Sequence, residues 1–125
     1  MEDPTDQSLL ETALRETEEE IFIPRSQVQV LGSQFSFPNH KDTIEITPFL
    51  GYLGHINPKQ ITFNPDEVHQ VFTLSFEQLS DPSLITYKPF RESNFKIPVF
   101  HGGPQEVWGI TAFITQNMIK NIFRL

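Results

Sequence analysis

Apolar and polar positions first fall into a helical rhythm near the start of the chain. Leu10, Ala13, Leu14, Thr17 and Ile21 recur at three- and four-residue intervals, which predicts an amphipathic helix over residues 8–21. Ser8 followed by Glu11 reads as a capping box at its start, with Asp6 an alternative cap one turn earlier. Pro24 prevents its continuation. The rhythm then shortens. Val28–Leu31 alternates and stops at Gly32; Ile44–Leu53 is a longer strand candidate in which Pro48 marks an edge or a bulge. Val68–Leu74 predicts another strand, and Ser75–Leu79 the start of a short helix. Ile85–Tyr87 and Phe95–Phe100 pair as a late hairpin, followed by a turn at His101–Pro104. Val107–Ala112 leads into a second long helix over Phe113–Phe123, with an apolar face at Ile110, Phe113, Ile114, Met118 and Ile122. No repeat, low-complexity tract or linker interrupts this order, so the pattern predicts one mixed α+β unit.

Composition narrows what such a unit does. Its 125 residues are the length of one ordinary domain. Nine basic against 16 acidic side chains give a formal charge of −7, which argues against a surface holding nucleic acid or anionic membrane by charge. An anionic substrate remains compatible, because a divalent metal held by carboxylates reverses the local sign. The absence of cysteine excludes disulfides and thiolate zinc sites. No apolar run reaches the 18 residues expected of a membrane-spanning helix.

Much of the acidity lies between Glu11 and Glu20. With about 100° of rotation per residue, Glu16 and Glu20 lie about 40° apart, and Glu19 about 60° to the other side of Glu16. Three carboxylates therefore share one face, beside the apolar arc. Like charges at this spacing weaken a helix by a few tenths of a kcal/mol, roughly, and acids in its last turn oppose the macrodipole. A hard divalent cation such as Mg²⁺ or Mn²⁺ would compensate. The competing reading is a solvated face built from a good helix former. Both readings stand on the pattern alone.

The run Arg15-Glu16-Thr17-Glu18-Glu19-Glu20 resembles the core of the Nudix box, G-x5-E-x7-R-E-U-x-E-E-x-G-U. Asp3-Pro4-Thr5-Asp6 with Thr12–Glu16, then Thr47-Pro48 with Gly51, and Asp66-Glu67-Val68 with Val71-Phe72, are similar to the coenzyme A diphosphatase branch in order and spacing. So are Ile97–Phe100 and Val107–Ala112. The resemblance implies an α/β fold of the Nudix α/β/α sandwich type with a mixed sheet. It implies hydrolysis of a diphosphate linkage in a small molecule, coenzyme A or an acyl-CoA, or else in another nucleoside-diphosphate-linked substrate. Glu16, Glu19 and Glu20 would then hold Mg²⁺ or Mn²⁺, and Arg15 would orient one of these carboxylates. Glu67 is the candidate downstream base, with a solvated turn acid as its alternative. Mitochondria are the compartment the resemblance favours.

Three positions depart from the family pattern. Phe22 stands where glycine is usual, so the turn leaving the helix is expected to be made differently. Thr17 replaces an aliphatic residue. The glycine-rich half of the box and the strands upstream are missing, which reads as one Nudix domain, residues 1–125, incomplete at its N-terminus. On that reading the alternative to an enzyme is an inactive chain that only binds. His40, His55, His69 and His101 show no ligand spacing and read as surface or turn residues. Trp108 reads as a core residue closing the last helix against the sheet, the alternative being a contact to an adenine or an acyl group.

Overall fold

A computed structural model describes residues 8–34, 37–38, 45–90 and 94–122. Asp3–Asp6, His40, Ile44 and Phe123, all used above, lie outside them. The chain divides into two compact units, Met1–Val71 and Phe72–Leu125.

In the first unit, α1 spans Leu9–Ile21, and the Ser8 side chain accepts from the Glu11 amide, satisfying one of the free N–H groups of the first turn. At the other end Phe22 itself turns left-handed, with φ 56° and ψ 30°, and donates its amide to the Glu18 carbonyl at 2.9 Å. The turn is therefore made in the conformation that glycine favours, but with a bulky side chain. This corrects the expectation of a different exit. Thr17 is explained locally: its hydroxyl donates to the Ala13 carbonyl at 2.8 Å, so the polar atom on the apolar side is satisfied within the helix.

Strand β1, Gln29–Ser33, follows; then come β2 at Phe37–Pro38, β3 at Glu45–Ile46 and β4 at Phe49–Tyr52. β1 pairs antiparallel with β4, with the register slipping between Val30 and Gly32 so that Leu31 bulges. β2 pairs antiparallel with β3. The single strand expected over Ile44–Leu53 is thus two short ones serving different partners. Pro48 lacks a ladder donor and sits at the break, where its carbonyl accepts from the Gln34 amide at 3.0 Å. The apolar row of α1, at Leu10, Ala13, Leu14 and Thr17, faces Val28, Val30, Phe49 and Leu50 across a cavity of about 190 Å³.

No strand forms over Val68–Leu74. Val68 belongs instead to a turn and donates its amide to the Asn64 carbonyl at 2.9 Å. Periodicity misread a half-buried loop whose first amide, that of Val68, bonds locally.

The second unit opens with α2, Phe76–Ser80, under a complete capping box between Ser75 and Gln78. The expected hairpin forms as β5, Ile85–Pro89, against β6, Lys96–Phe100. Helix α3 runs Gly109–Ile122, starting earlier than its apolar rhythm suggested. Its deepest residue is Ala112, fully buried, and Ile119 packs with it against Phe100 and Leu79. The face centred on Ile110, Phe113, Ile114 and Met118 is only half-buried. A small Ala112 permits close approach of helix to strand, and that contact, not the bulkier stripe, sets the helix's rotation. Every named strand pair is antiparallel, and helices are combined with small sheets in the α/β mixture expected above.

Candidate active site

The last two turns of α1 carry Arg15 and Glu16, half-buried, and Glu19 and Glu20, exposed, in the first unit. Arg15 Nη1 donates to Glu19 Oε1 at 3.0 Å, and its Nη2 lies 3.8 Å from Glu16 Oε1. One guanidinium thus faces two of the three carboxylates, holding Glu19 through a charge-assisted hydrogen bond and Glu16 through a longer ion pair.

Glu20 is set apart. Partial burial pushes its carboxyl above the usual carboxylate range, and Glu16, Glu67 and Glu19 push it further by like-charge repulsion. Glu67 acts from a loop some forty-five residues downstream, and the backbone explains how. The Asn64 amide donates to the Glu20 carbonyl at 2.8 Å, using one of the helix's unpaired terminal acceptors. The Asn64 side-chain oxygen accepts from the Asp66 amide at 3.0 Å, and its carbonyl accepts from the Glu67 amide at 3.1 Å. Asn64-Pro65-Asp66-Glu67 is therefore a tight turn pinned to the end of α1, and Glu67 rides on it. Sequence reasoning placed Glu67 ahead of a strand and overlooked Asn64. The Asn-Pro pair was the available signal, since it favours turn initiation.

The donor set is all carboxylate oxygen, which suits Mg²⁺ or Mn²⁺ over softer ions. Among the described residues no three His, Asp or Glu side chains converge closely enough to hold a metal ion as they stand. The chemistry of the donors fits a hard cation; convergence would require rotation of exposed glutamate side chains. A cleft of about 330 Å³ opens beyond the end of α1, lined by Phe22, Ile23, His55, Ile56 and Ile61 among others, and not by the three box carboxylates.

His55, His69 and His101 are exposed, as read from the sequence. Trp108 is not core: it is 68% exposed, at the start of α3. Leu79, Phe100 and Ala112, joined by Leu74, Ile85, Val107 and Ile119, already fill the core of the second unit. Among the described residues no helix is long and apolar enough to cross a membrane.

A family model described as the NUDIX domain matches residues 1–96. The chain is 35% identical over 122 residues to "Mitochondrial coenzyme A diphosphatase NUDT8" of Mus musculus, covering 94% of this chain and 57% of that protein. It is 36% identical over 118 residues to the Homo sapiens protein of the same name, covering 91% and 49%. It is also 33% identical over 124 residues to "Uncharacterized Nudix hydrolase NudL" of Yersinia enterocolitica, covering 96% and 61%. The chain thus spans about half to three-fifths of the length of these relatives.

Proposed function

The chain belongs to the Nudix domain family, and from that premise we propose that it is a pyrophosphohydrolase acting on the diphosphate bridge of coenzyme A or an acyl-CoA. The observation that carries this reading is the acidic face of α1, where Arg15 bonds Glu19 and lies 3.8 Å from Glu16, with the Asn64 turn that bears Glu67 bonded to the Glu20 carbonyl. The NUDT8 relatives, named as coenzyme A diphosphatases, support the substrate.

Water adds to one phosphorus and the bridging P–O bond breaks, giving 3′,5′-ADP and a phosphopantetheine. A divalent cation, Mg²⁺ or Mn²⁺, would be held by Glu16, Glu19 and Glu20 and would supply charge neutralisation and an acidified water. Arg15 keeps Glu19 and Glu16 oriented toward that role. Glu67, fixed by the Asn64 turn, accepts the proton released as the nucleophile attacks. Partial burial first, and then repulsion from Glu16, Glu67 and Glu19, raise the proton affinity of Glu20.

The test is release of 3′,5′-ADP from coenzyme A by the purified chain with Mg²⁺ or Mn²⁺. Glu16→Gln and Glu20→Gln are expected to abolish release with the fold intact by circular dichroism; undiminished turnover in either would sink the assignment. Arg15→Ala should cost about 10–100-fold, as loss of an orienting group typically does. Binding of coenzyme A with no release in the unsubstituted chain would favour a binding role instead. Mitochondrial residence is supported by the two mammalian relatives, whereas the Yersinia proteins are bacterial; imaging of the tagged chain tests it.

A further inference from the structure

Phe22 closes α1 in the left-handed region, at φ 56°, and its side chain stays 54% exposed. A residue with a Cβ is held in that region against steric cost, and such strain gathers where a protein binds or reacts. Here Phe22 lines the cleft of about 330 Å³ beyond the end of α1, a size within the roughly 300–1,000 Å³ of small-molecule sites. Ile21 lines it too, and the pair directly follows Glu20 in the chain. The acidic face and the cleft therefore both belong to the first unit and are joined at the end of one helix.

Local turns fix the rest of the lining. Asn57 Oδ1 accepts from the Lys59 amide at 3.0 Å and caps a 3₁₀ turn over Pro58–Gln60, in which the Gln60 amide donates to the Asn57 carbonyl at 2.9 Å. The Gln27 amide donates to the Pro24 carbonyl at 2.9 Å in a similar turn just past Phe22. With its Oδ1 engaged, Asn57 offers its NH2 group, while the Gln27 and Gln60 side chains each carry a donor and an acceptor.

The chemistry of this lining selects an occupant. Among the described residues no lysine, arginine, aspartate or glutamate lines the cleft, and His55 is its one ionisable group. A phosphate finds little to pair with there. The amides of Gln27, Asn57 and Gln60 are instead set among Ile23, Ile56 and Ile61. An amide leaving water needs a hydrogen-bond partner, whereas a hydrocarbon group gains by leaving it. A neutral chain in which amides alternate with short hydrocarbon runs meets both conditions.

We infer that the cleft takes the neutral arm of the substrate, a pantetheine chain, its two amides bonded by Gln27, Asn57 and Gln60 and its gem-dimethyl group against Phe22. In coenzyme A that gem-dimethyl group is the part of the arm nearest the diphosphate, just as Phe22 stands two residues from Glu20. The inference rests on the proposed coenzyme A reaction for its ligand and on the first unit alone for its place. Phe22 is thus a specificity residue, kept in a strained turn because its ring contacts the arm.

Pantetheine has no phosphate to cleave, so its binding to the full chain is read without metal or turnover. Calorimetry should show saturable binding, and isoleucine methyl resonances should shift as pantetheine is added. Phe22→Gly should weaken that binding by about tenfold, as loss of one apolar contact does, without lowering the melting temperature. In turnover of coenzyme A the same variant should raise KM by a similar factor and keep kcat, the mark of lost uniform binding. Gln60→Ala should weaken pantetheine binding by roughly fivefold, the worth of one neutral hydrogen bond. Failure of pantetheine to bind, unchanged affinity in Phe22→Gly, or the same methyl shifts produced by 3′,5′-ADP instead overturns the subsite. Cleavage of coenzyme A without pantetheine binding removes this inference alone. Pantetheine binding that weakens in Phe22→Gly, with no cleavage of coenzyme A, removes the proposed reaction and leaves the cleft standing.

Discussion

Phe22 sits in the left-handed region at the end of α1, half-exposed, in a conformation that costs an ordinary residue about 1–2 kcal/mol. Replacing it by glycine removes that strain but adds about 0.5–1 kcal/mol of unfolded-state entropy to be lost on folding. Phe22→Gly is therefore expected to raise stability by about 0.5–1 kcal/mol, read as a shift in the urea midpoint with an unchanged slope. The Asp81 turn makes stability depend on pH. Its carboxylate accepts from the Ser83 hydroxyl at 2.8 Å and the Ser83 amide at 2.9 Å, and the hydroxyl bond first, then the backbone bond, hold its pKa below the ordinary aspartate value. A lowered folded-state value means the stabilising bonds are intact above the unfolded pKa and are lost as pH falls through the folded one. Melting temperature should fall over that acid window in the unsubstituted chain, and Asp81→Asn should flatten this part of the profile.

Among the elements, the β1–β4 ribbon depends on close approach. A Cβ built on Gly51 would lie 2.7 Å from Val28 Cγ1, so Gly51→Ala must displace a neighbouring side chain or bend β4. Overpacking of this kind costs about 1–3 kcal/mol, and the variant should melt correspondingly earlier with β1–β4 amides exchanging faster. How far the elements were legible varies with where their hydrogen bonds go. Helix α1, the start of α2 and the β5–β6 hairpin follow from local spacing, because caps, turns and alternation are all written within a few residues. The Ile44–Leu53 and Val68–Leu74 stretches were misread because apolar alternation does not say which partner is available. Pro48 divides the first between two ladders, and the Asn64 turn takes the first residue, Val68, out of the second.

For the whole molecule, the −7 charge is partly concentrated on one short helix whose acidic face meets a further acid from a distant loop. That coincidence depends on the chain returning to α1 through Asn64, a contact no periodicity encodes. In the second unit the scaffold rests on Phe100, 1% exposed, packed with Leu79 and Ala112. Phe100→Ala is expected to cost about 3–5 kcal/mol, measured by chemical denaturation. It should also loosen the bridge from Phe100 to Val107, beside Trp108, detectable as a change in indole emission before global unfolding.

The helix bearing Arg15, Glu16, Glu19 and Glu20, its N-cap, and the family to which that run belongs are all legible in the sequence, since they are properties of neighbours along one turn or two. Tertiary structure decided the rest. It brought Glu67 within electrostatic reach of Glu20, made Phe22 adopt a glycine's conformation, chose Ala112 as the contact face of α3, and left Trp108 in solvent. Each of those outcomes turns on which surfaces meet after the chain folds back. Spacing along the chain specifies a face; only packing specifies what that face meets.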